Sequence, residues 1–219
     1  LSTYDNLRVV VQRHLELGAI WRPIVEADQL DSTDYIERLL RPTFKEADLV
    51  MAHLEVAHTT RPAAAGAMPA PPPDNLRGIL SSGITGVTFA GNAAMAYGAP
   101  GVVDTLDWLE KHHVPNTGVG INIDAARRPL IIERNGTRFG FLSYNCVGRR
   151  EGAAGSTRPG YAYVDVVTYY EGTIFPGDMP QILTFAEHWS LEAMKQDIRS
   201  LRPKCDVLSV AIHMGGAMT

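Results

Sequence analysis

The chain has 219 residues, 45% of them hydrophobic and 20% charged, which suits one large domain with a real core and excludes a disordered chain. A formal net charge of -4 removes any whole-chain pull toward nucleic acid or an anionic membrane, leaving only local basic patches to consider. Cys146 and Cys205 are too few for a disulfide framework, and no run of 18 apolar residues offers a membrane-spanning helix. The opening LSTYDNLRVV lacks the basic head and apolar body of a signal peptide, which points to a cytoplasmic location.

In chain order, Leu7, Val10, Val11 and Leu15 share one helical face, and Tyr35, Ile36, Leu39 and Leu40 share another. Residues 1–44 therefore read as a peripheral helical region, with residues 27–33 as a loop and Ser32 or Thr33 as a cap for the second helix. ADLVMAHLE, residues 47–55, is a short apolar run expected to be a buried strand. The prolines of RPAAAGAMPAPPPD cannot sustain a ladder and predict an extended loop. Asp74 then caps a short helix over NLRGILSS, which Gly83 ends before the next strand, ITGVTFA.

Pro100 and Pro115 bracket a helix whose stripe is Val102, Val103, Leu106, Leu109 and His113. PLIIERNGTRFGFLSYN places two apolar runs on either side of Asn135-Gly136, the strongest short-range hairpin signal. VGRREGAAGSTRPGY reads as a mobile loop because of its glycines and arginines. Leu191, Met194, Ile198 and Leu201 mark an amphipathic helix before Pro203, and CDVLSVAIHMGG closes as a buried strand running into His213. No internal repeat of fixed period is present. Helices alternating with buried strands, with one embedded hairpin, give an α/β domain with a mixed sheet and more than one sheet layer.

Three apolar strands end in potential ligands: His53 and Glu55 after LVMA, Asn92 after VTFAG, and His213 after LSVAI. Ligands of open α/β sheets bind outside the carboxyl ends of strands, so these ends are expected to converge. Imidazole, carboxylate and carboxamide oxygen suit Zn, Mn or Fe, and two such ions about 4 Å apart would clamp a phosphoester. Any one of these residues alone reads first as a strand-end cap satisfying loop backbone; three strand ends together favour a site. His112 and His113 point about 100° apart on a helix and make a poor shared chelate, suiting a helix C-terminus instead. His14, His58 and His188 have no partner at useful spacing, and Cys146 reads as a small buried hydrophobe. Arg149, Arg150 and Arg158 are candidate bidentate contacts for an anion, although solvated loop arginines are commoner. There is no G-x-x-x-x-G-K-[ST] loop, no complete dinucleotide fingerprint at GVGIN and no G-x-S-x-G elbow.

Taken in order, ADLVMAHLE, the phrase from Gly83 to Tyr144 and CDVLSVAIHMGG resemble the bacterial capsule-synthesis CapA family, also called the poly-γ-glutamate biosynthesis family. The resemblance covers a core of residues 45–216 within a single domain of residues 1–219. It implies likeness to calcineurin-like metallophosphoesterases: a layered αββα sandwich with mixed sheets and a dinuclear metal site between them. The family's Asn-Leu-Glu stands here as His53-Leu54-Glu55, so Glu55 carries over as a metal ligand and His53 is a substitution still able to coordinate. The family's Asn-Asn-His signature stands as Gly91-Asn92-Ala93, keeping Asn92 as ligand and catalytic residue, while Ala93 and Ala96 replace its histidine and aspartate. His213-Met214-Gly215 matches His-Trp-Gly, which makes His213 a ligand. The family's Gly-Asp and Gly-His-x-His motifs are not found, so the resemblance implies strands before Leu1 and beyond Thr219, and the full dinuclear set cannot be assembled from these residues.

Three functions follow as expectations. The first is a metal-dependent hydrolase of a phosphoester or amide, with Glu55, Asn92, His213 and His53 at a divalent Mn, Zn or Fe and with Arg149, Arg150 and Tyr97 toward substrate. The second is a noncatalytic poly-γ-glutamate or other anionic-polymer binder contacted by Arg127, Arg128, Arg149, Arg150 and Arg158, with a cell-envelope association by resemblance. The third is a small-molecule catabolic enzyme reusing the fold, its pocket lined by Tyr97, Tyr144 and Cys146. Nucleic acid is expected of none.

Overall fold

In the computed structural model, residues 9–10, 40–62, 70–172, 175 and 177–215 are described. The strand prediction at residues 47–55 is realised as β2 (Leu49–His53), every residue of which is buried. It lies in a parallel sheet of order β1-β2-β3-β4, with β1 at Val9–Val10, β3 at Gly86–Thr88 and β4 at Asn116–Thr117. Val9–Val10 form a strand where the spacing of Leu7, Val10, Val11 and Leu15 predicts a helix, and Leu7, Val11 and Leu15 lie outside the described residues. Two β-branched residues in parallel register with Leu49 and Val50 gain more from the ladder than from a helical stripe. Of the second N-terminal helix, only residues 40–45 are described, and they are helical.

A second, mixed sheet has the order β11-β7-β6. β6 (Leu130–Arg134) and β7 (Thr137–Asn145) form the hairpin announced by Asn135-Gly136, with Arg134 opposite Thr137. Both turn residues take positive φ, 51° and 76°, as a two-residue turn matched to strand twist requires. β11 (Val207–His213) runs parallel to β7 through seven residue pairs, from Val207 opposite Phe139 to His213 opposite Asn145. It is half-buried instead of fully buried, because it is the edge of its sheet among the described residues.

Alternation along the strands assembles four layers. Leu49 and Met51 of the first sheet meet Ile132, Phe139 and Phe141 of the second, making a dry inter-sheet layer. On the far side of the first sheet, Ala52, Val87 and Phe89 receive Ile79 of α1 (Arg77–Ser82) and Val102, Trp108 and Leu109 of α2 (Gly98–Lys111). On the far side of the second sheet, Leu142 and Tyr144 receive Met194, Ile198 and Leu201 of α4 (His188–Leu201), while α3 (Ile123–Ala126) contributes Ala126. The molecule is thus a helix–sheet–sheet–helix sandwich, as expected. A Cβ on Gly140 would stand 2.8 Å from the Cys205 sulfur, so glycine is what lets β7 approach the end of α4.

Several local expectations shift. Asp74 lies inside a 3-10 turn, Pro73–Leu76, that precedes α1 and is not its cap, whereas Gly83 ends α1 at φ 89° as anticipated. α2 begins two residues before Pro100, and its buried stripe is Gly101, Val102, Thr105, Trp108 and Leu109, with His113 already beyond the helix at φ 55°. The glycine-rich loop is packed, not mobile: Gly148 and Gly152 press on the ring of Tyr161, whose hydroxyl donates to the Arg149 carbonyl. Tyr161 belongs to β8 (Gly160–Tyr161), antiparallel to β5 (Val119–Gly120), and its burial pushes its pKa up to about 12. A hairpin of β9 (Val166–Glu171) and β10 (Gln181–Ala186) follows, which the sequence patterning does not announce.

His58 is buried, and its Nδ1 contacts the Val56 carbonyl while its backbone N–H donates to Thr105. Desolvation lowers its pKa from 6.5 to about 4, so the folded protein holds a neutral imidazole that the unfolded chain protonates. Stability from this site is complete above pH 6.5 and falls as pH drops toward 4, by about 3 kcal/mol over that window. Denaturant titrations at several pH values are expected to show this slope, and His58→Leu should flatten it; an unchanged slope in the variant would remove His58 as its cause.

Candidate functional site

The polarity of the inter-sheet layer changes along the strands. At the amino ends it holds Leu49, Met51, Phe139 and Phe141, and two residues further on the same faces carry His53, Thr88, Ser143, Asn145 and His213. Buried polar groups need partners, and at this carboxyl mouth the contacts of His53 with Thr88 and of His213 with Asn92 supply some of them. This is the crevice where strand ends are expected to present ligands.

Four expected site residues meet there. His213 Nε2 lies 3.1 Å from Asn92 Oδ1 and 3.8 Å from Glu55 Oε1. The His53 ring stacks on that of His213, with centroids 5.1 Å apart and planes 15° from parallel. Each reaches the mouth by a different route. His53 ends β2, and Glu55 follows two residues later. Asn92 opens a run of tight turns that begins after β3, with Ala94 N–H donating to the Gly91 carbonyl and Ala96 N–H to the Ala93 carbonyl. A Cβ on Gly91 would fall 2.8 Å from the Glu55 Cα and carbonyl oxygen, so glycine at 91 is what allows this turn to lie against Glu55. His213 is carried by the β11–β7 register, and its carbonyl accepts the Cys146 N–H.

The Thr88 hydroxyl lies 3.0 Å from His53 Nδ1 and 3.4 Å from the Ala52 carbonyl. If its one hydrogen goes to Ala52, the hydroxyl accepts from His53 Nδ1–H and the His53 lone pair is on Nε2. His213 Nε2 faces two oxygens, so it holds a proton or surrenders that place to a cation shared with Asn92 and Glu55.

Asn145, fully buried beside His213, was missed as a site residue. Its Oδ1 accepts the Val147 and Gly148 N–H groups and holds the turn after β7. Its Nδ2 has no hydrogen-bond partner among the described residues. The signal was available in the period-two series Phe139, Phe141, Ser143, Asn145, which turns polar halfway along one face. Thr88 was missed because a threonine in a strand reads as propensity alone.

Other expected residues lie elsewhere. Arg150 pairs with the buried Asp165, and Arg158 donates to the Ala153 carbonyl, so both brace the packed loop. The Arg149 side chain is exposed on that loop. Arg127 makes a bidentate bond to Asp197 at 2.7 and 2.8 Å, which also accepts the Tyr144 hydroxyl. That side of β7 faces α4, away from the mouth, and burial with the Asp197 charge holds the Tyr144 hydroxyl protonated. Tyr144 and Arg127 are therefore structural, correcting the pocket and polymer-contact expectations. Cys146 packs against the α4 core with its pKa raised by burial, a protonated thiol. Tyr97 packs against the core beneath α2.

The metal implied by the resemblance is matched in part. His213, Glu55 and Asn92 supply one imidazole, one carboxylate and one carboxamide oxygen, a three-donor set suited to a single Zn, Mn or Fe with an open position. Among the described residues no three His, Cys, Asp or Glu side chains gather as a metal-holding group, at this mouth or elsewhere, so the set depends on the Asn92 carboxamide as its third donor.

Replacing Thr88 should release the His53 tautomer. Nitrogen-15 spectra of the histidine rings, taken above the imidazole range of about pH 6.5, are expected to show His53 hydrogen at Nδ1 in the native chain and in Thr88→Ser, and a mixture in Thr88→Val. Hydrogen on Nε2 in the native chain would overturn the assignment.

No helix among the described residues is long and apolar enough to cross a membrane. No curated protein matches the chain. The convergence of Glu55, Asn92 and His213, each on the residue where the sequence resemblance put a family motif, agrees with a match of residues 13–219 to a family model, and the chain belongs to the bacterial capsule synthesis protein PGA_cap family.

Proposed function

We propose that this protein is a metal-dependent hydrolase of a phosphoester or amide bond, working in capsule synthesis from a reduced, single-ion site. The observation that carries the reading is the approach of Asn92 Oδ1 and Glu55 Oε1 to His213 Nε2, at 3.1 and 3.8 Å. Three donors from strand ends distant in sequence converge where the interior turns polar. Glu55, Asn92 and His213 would hold the ion, whose chemistry is Lewis-acid polarisation of the scissile bond.

The remaining work falls to the chain's own groups. His53, stacked on His213 at the mouth, is the group that would accept the proton of the attacking water, through Nε2 if Nδ1–H is given to Thr88. The Asn92 amide orients the bound oxygen. Ala93 offers no proton to the leaving group where the family carries histidine, a loss of about 10²–10⁴ in rate. Slow turnover, favouring activated leaving groups, is the expected character.

The acidic-polymer reading draws less support, because Arg127, Arg150 and Arg158 are engaged within the fold and do not gather at the mouth.

Metal analysis of intact protein purified without chelator is expected to find about one equivalent of Mn, Zn or Fe, matching the one donor set. Glu55→Ala or His213→Ala should lose it while the circular dichroism spectrum persists. Protein that neither carries nor takes up metal would sink the hydrolase reading. In loaded protein, Ala93→His should raise turnover on a poor leaving group by about tenfold or more, with little change on an activated aryl ester; equal rates on both substrates in both proteins would remove Ala93 as the missing donor.

A further inference from the structure

Asn145 is held by one end of its carboxamide only. Its Oδ1 accepts the Val147 and Gly148 N–H groups, while its backbone N–H donates to the Ala162 carbonyl and its own carbonyl accepts the Val164 N–H. Two N–H donors fix which branch of the carboxamide is oxygen, because an NH2 group in that place would set hydrogen against hydrogen. The other branch, Nδ2, is buried without a hydrogen-bond partner among the described residues, on a residue that is 0% exposed. Buried donors in native folds are nearly always paired, so this one asks which acceptor it serves.

Its place in the fold supplies the answer. Asn145 pairs in parallel register with His213 on one side and forms a parallel bridge with Tyr163 on the other. Paired residues of a ladder project to the same face, and Ser143, two residues earlier, accepts the Ala90 N–H across the inter-sheet layer. The Asn145 side chain therefore shares the mouth with His213. Neighbouring strands lie about 4.7–4.9 Å apart, which sets the carboxamide one strand away from the imidazole that faces Asn92 and Glu55. A Cβ on Gly148 would stand 3.0 Å from Nδ2, so glycine there leaves the NH2 group uncapped. Solvent reaches the mouth at Asn92 and Val147, both exposed.

We propose that Asn145 is a substrate-binding residue, whose Nδ2 donates to a second oxygen of the reacting group while the first lies where Glu55, Asn92 and His213 converge. It rests on the hydrolase reading of this mouth and narrows it. An amide brings a single oxygen to its reacting carbon, and the convergence of Glu55, Asn92 and His213 takes that oxygen. A phosphoryl group keeps at least one further non-bridging oxygen for a donor one strand away, so the substrate class is a phosphoester. No protein acceptor has to be released first, and beneath the surface a hydrogen bond to an anionic oxygen is stronger than in water. The donor is preorganised for that oxygen.

The test is a titration of the full chain with inorganic phosphate, read at the Asn145 side-chain amide by nitrogen-15 NMR; its signals are those that vanish in Asn145→Asp. In metal-loaded native protein they are expected to shift saturably. Asn145→Asp keeps an acceptor for both turn bonds, and Asn145→Ser keeps a hydroxyl acceptor without adding charge, while each removes the NH2 group. Both should raise the phosphate dissociation constant by about tenfold or more, with metal content and circular dichroism as in the native chain. Loaded protein that binds no phosphate, an Asn145 amide that stays still while phosphate binds, or Asn145→Ser with native phosphate affinity would overturn the proposal and leave Asn145 as the clamp of its turn. Where Asn145→Ser unfolds, the native titration decides by itself. Metal analysis separates this outcome from the hydrolase reading: a native chain that takes up no metal sinks that reading. The same titration of the metal-free chain then decides the donor alone, a saturable shift upholding it as an oxyanion contact and an immobile signal ending it.

Discussion

The parallel pairing of β7 with β11 is the constraint on which the rest of the molecule depends. Seven consecutive partners lock Val207 to Phe139 at one end and His213 to Asn145 at the other. A one-residue slip would turn His213 toward α4 and leave Leu208 and Val210 in the inter-sheet layer. The burial of Leu142, Tyr144 and Leu201 on one side, and of Phe139 and Phe141 on the other, therefore also fixes the imidazole at the mouth.

Site and core are one layer with two chemistries. The apolar half supplies the hydrophobic attraction that joins the sheets, and the polar half inherits its geometry. This is why Gly91 and Gly118 matter to the geometry of the mouth although neither carries a polar side chain. Gly91 admits the Asn92 turn against Glu55, and Gly118, at φ 104°, lets the chain pass where a Cβ would strike Ser143. The Thr88–His53 bond adds orientation at small energetic cost, because Thr88 is already in register with His53.

Charge is used locally. Arg127 and Asp197 tie α3 to α4, Arg61 and Asp104 pin the irregular segment following His58 to α2, and Arg150 and Asp165 brace the base of the β9–β10 ribbon. These pairs take up basic side chains that composition alone offers as anion contacts. The packed loop from Val147 to Tyr161 makes the same point about glycine: close approach to an aromatic ring, not freedom, explains Gly148 and Gly152.

The sequence by itself determined the alternation of strands and helices, the Asn135-Gly136 turn, the α4 stripe and the polar residues at the strand ends, because each rests on local periodicity, turn chemistry or a motif. Val10 went the other way because β pairing is long-range and overrode a helical spacing of four residues. Only the tertiary structure decided which arginines are already engaged, that Thr88 faces His53 Nδ1 and that Asn145 stands beside His213, since those facts depend on partners 15 to 70 residues apart. The exposed ribbon was equally illegible: VVTYYE and QILTFA read as ordinary strand material, and only their place outside both sheets shows that nothing described in the chain covers them.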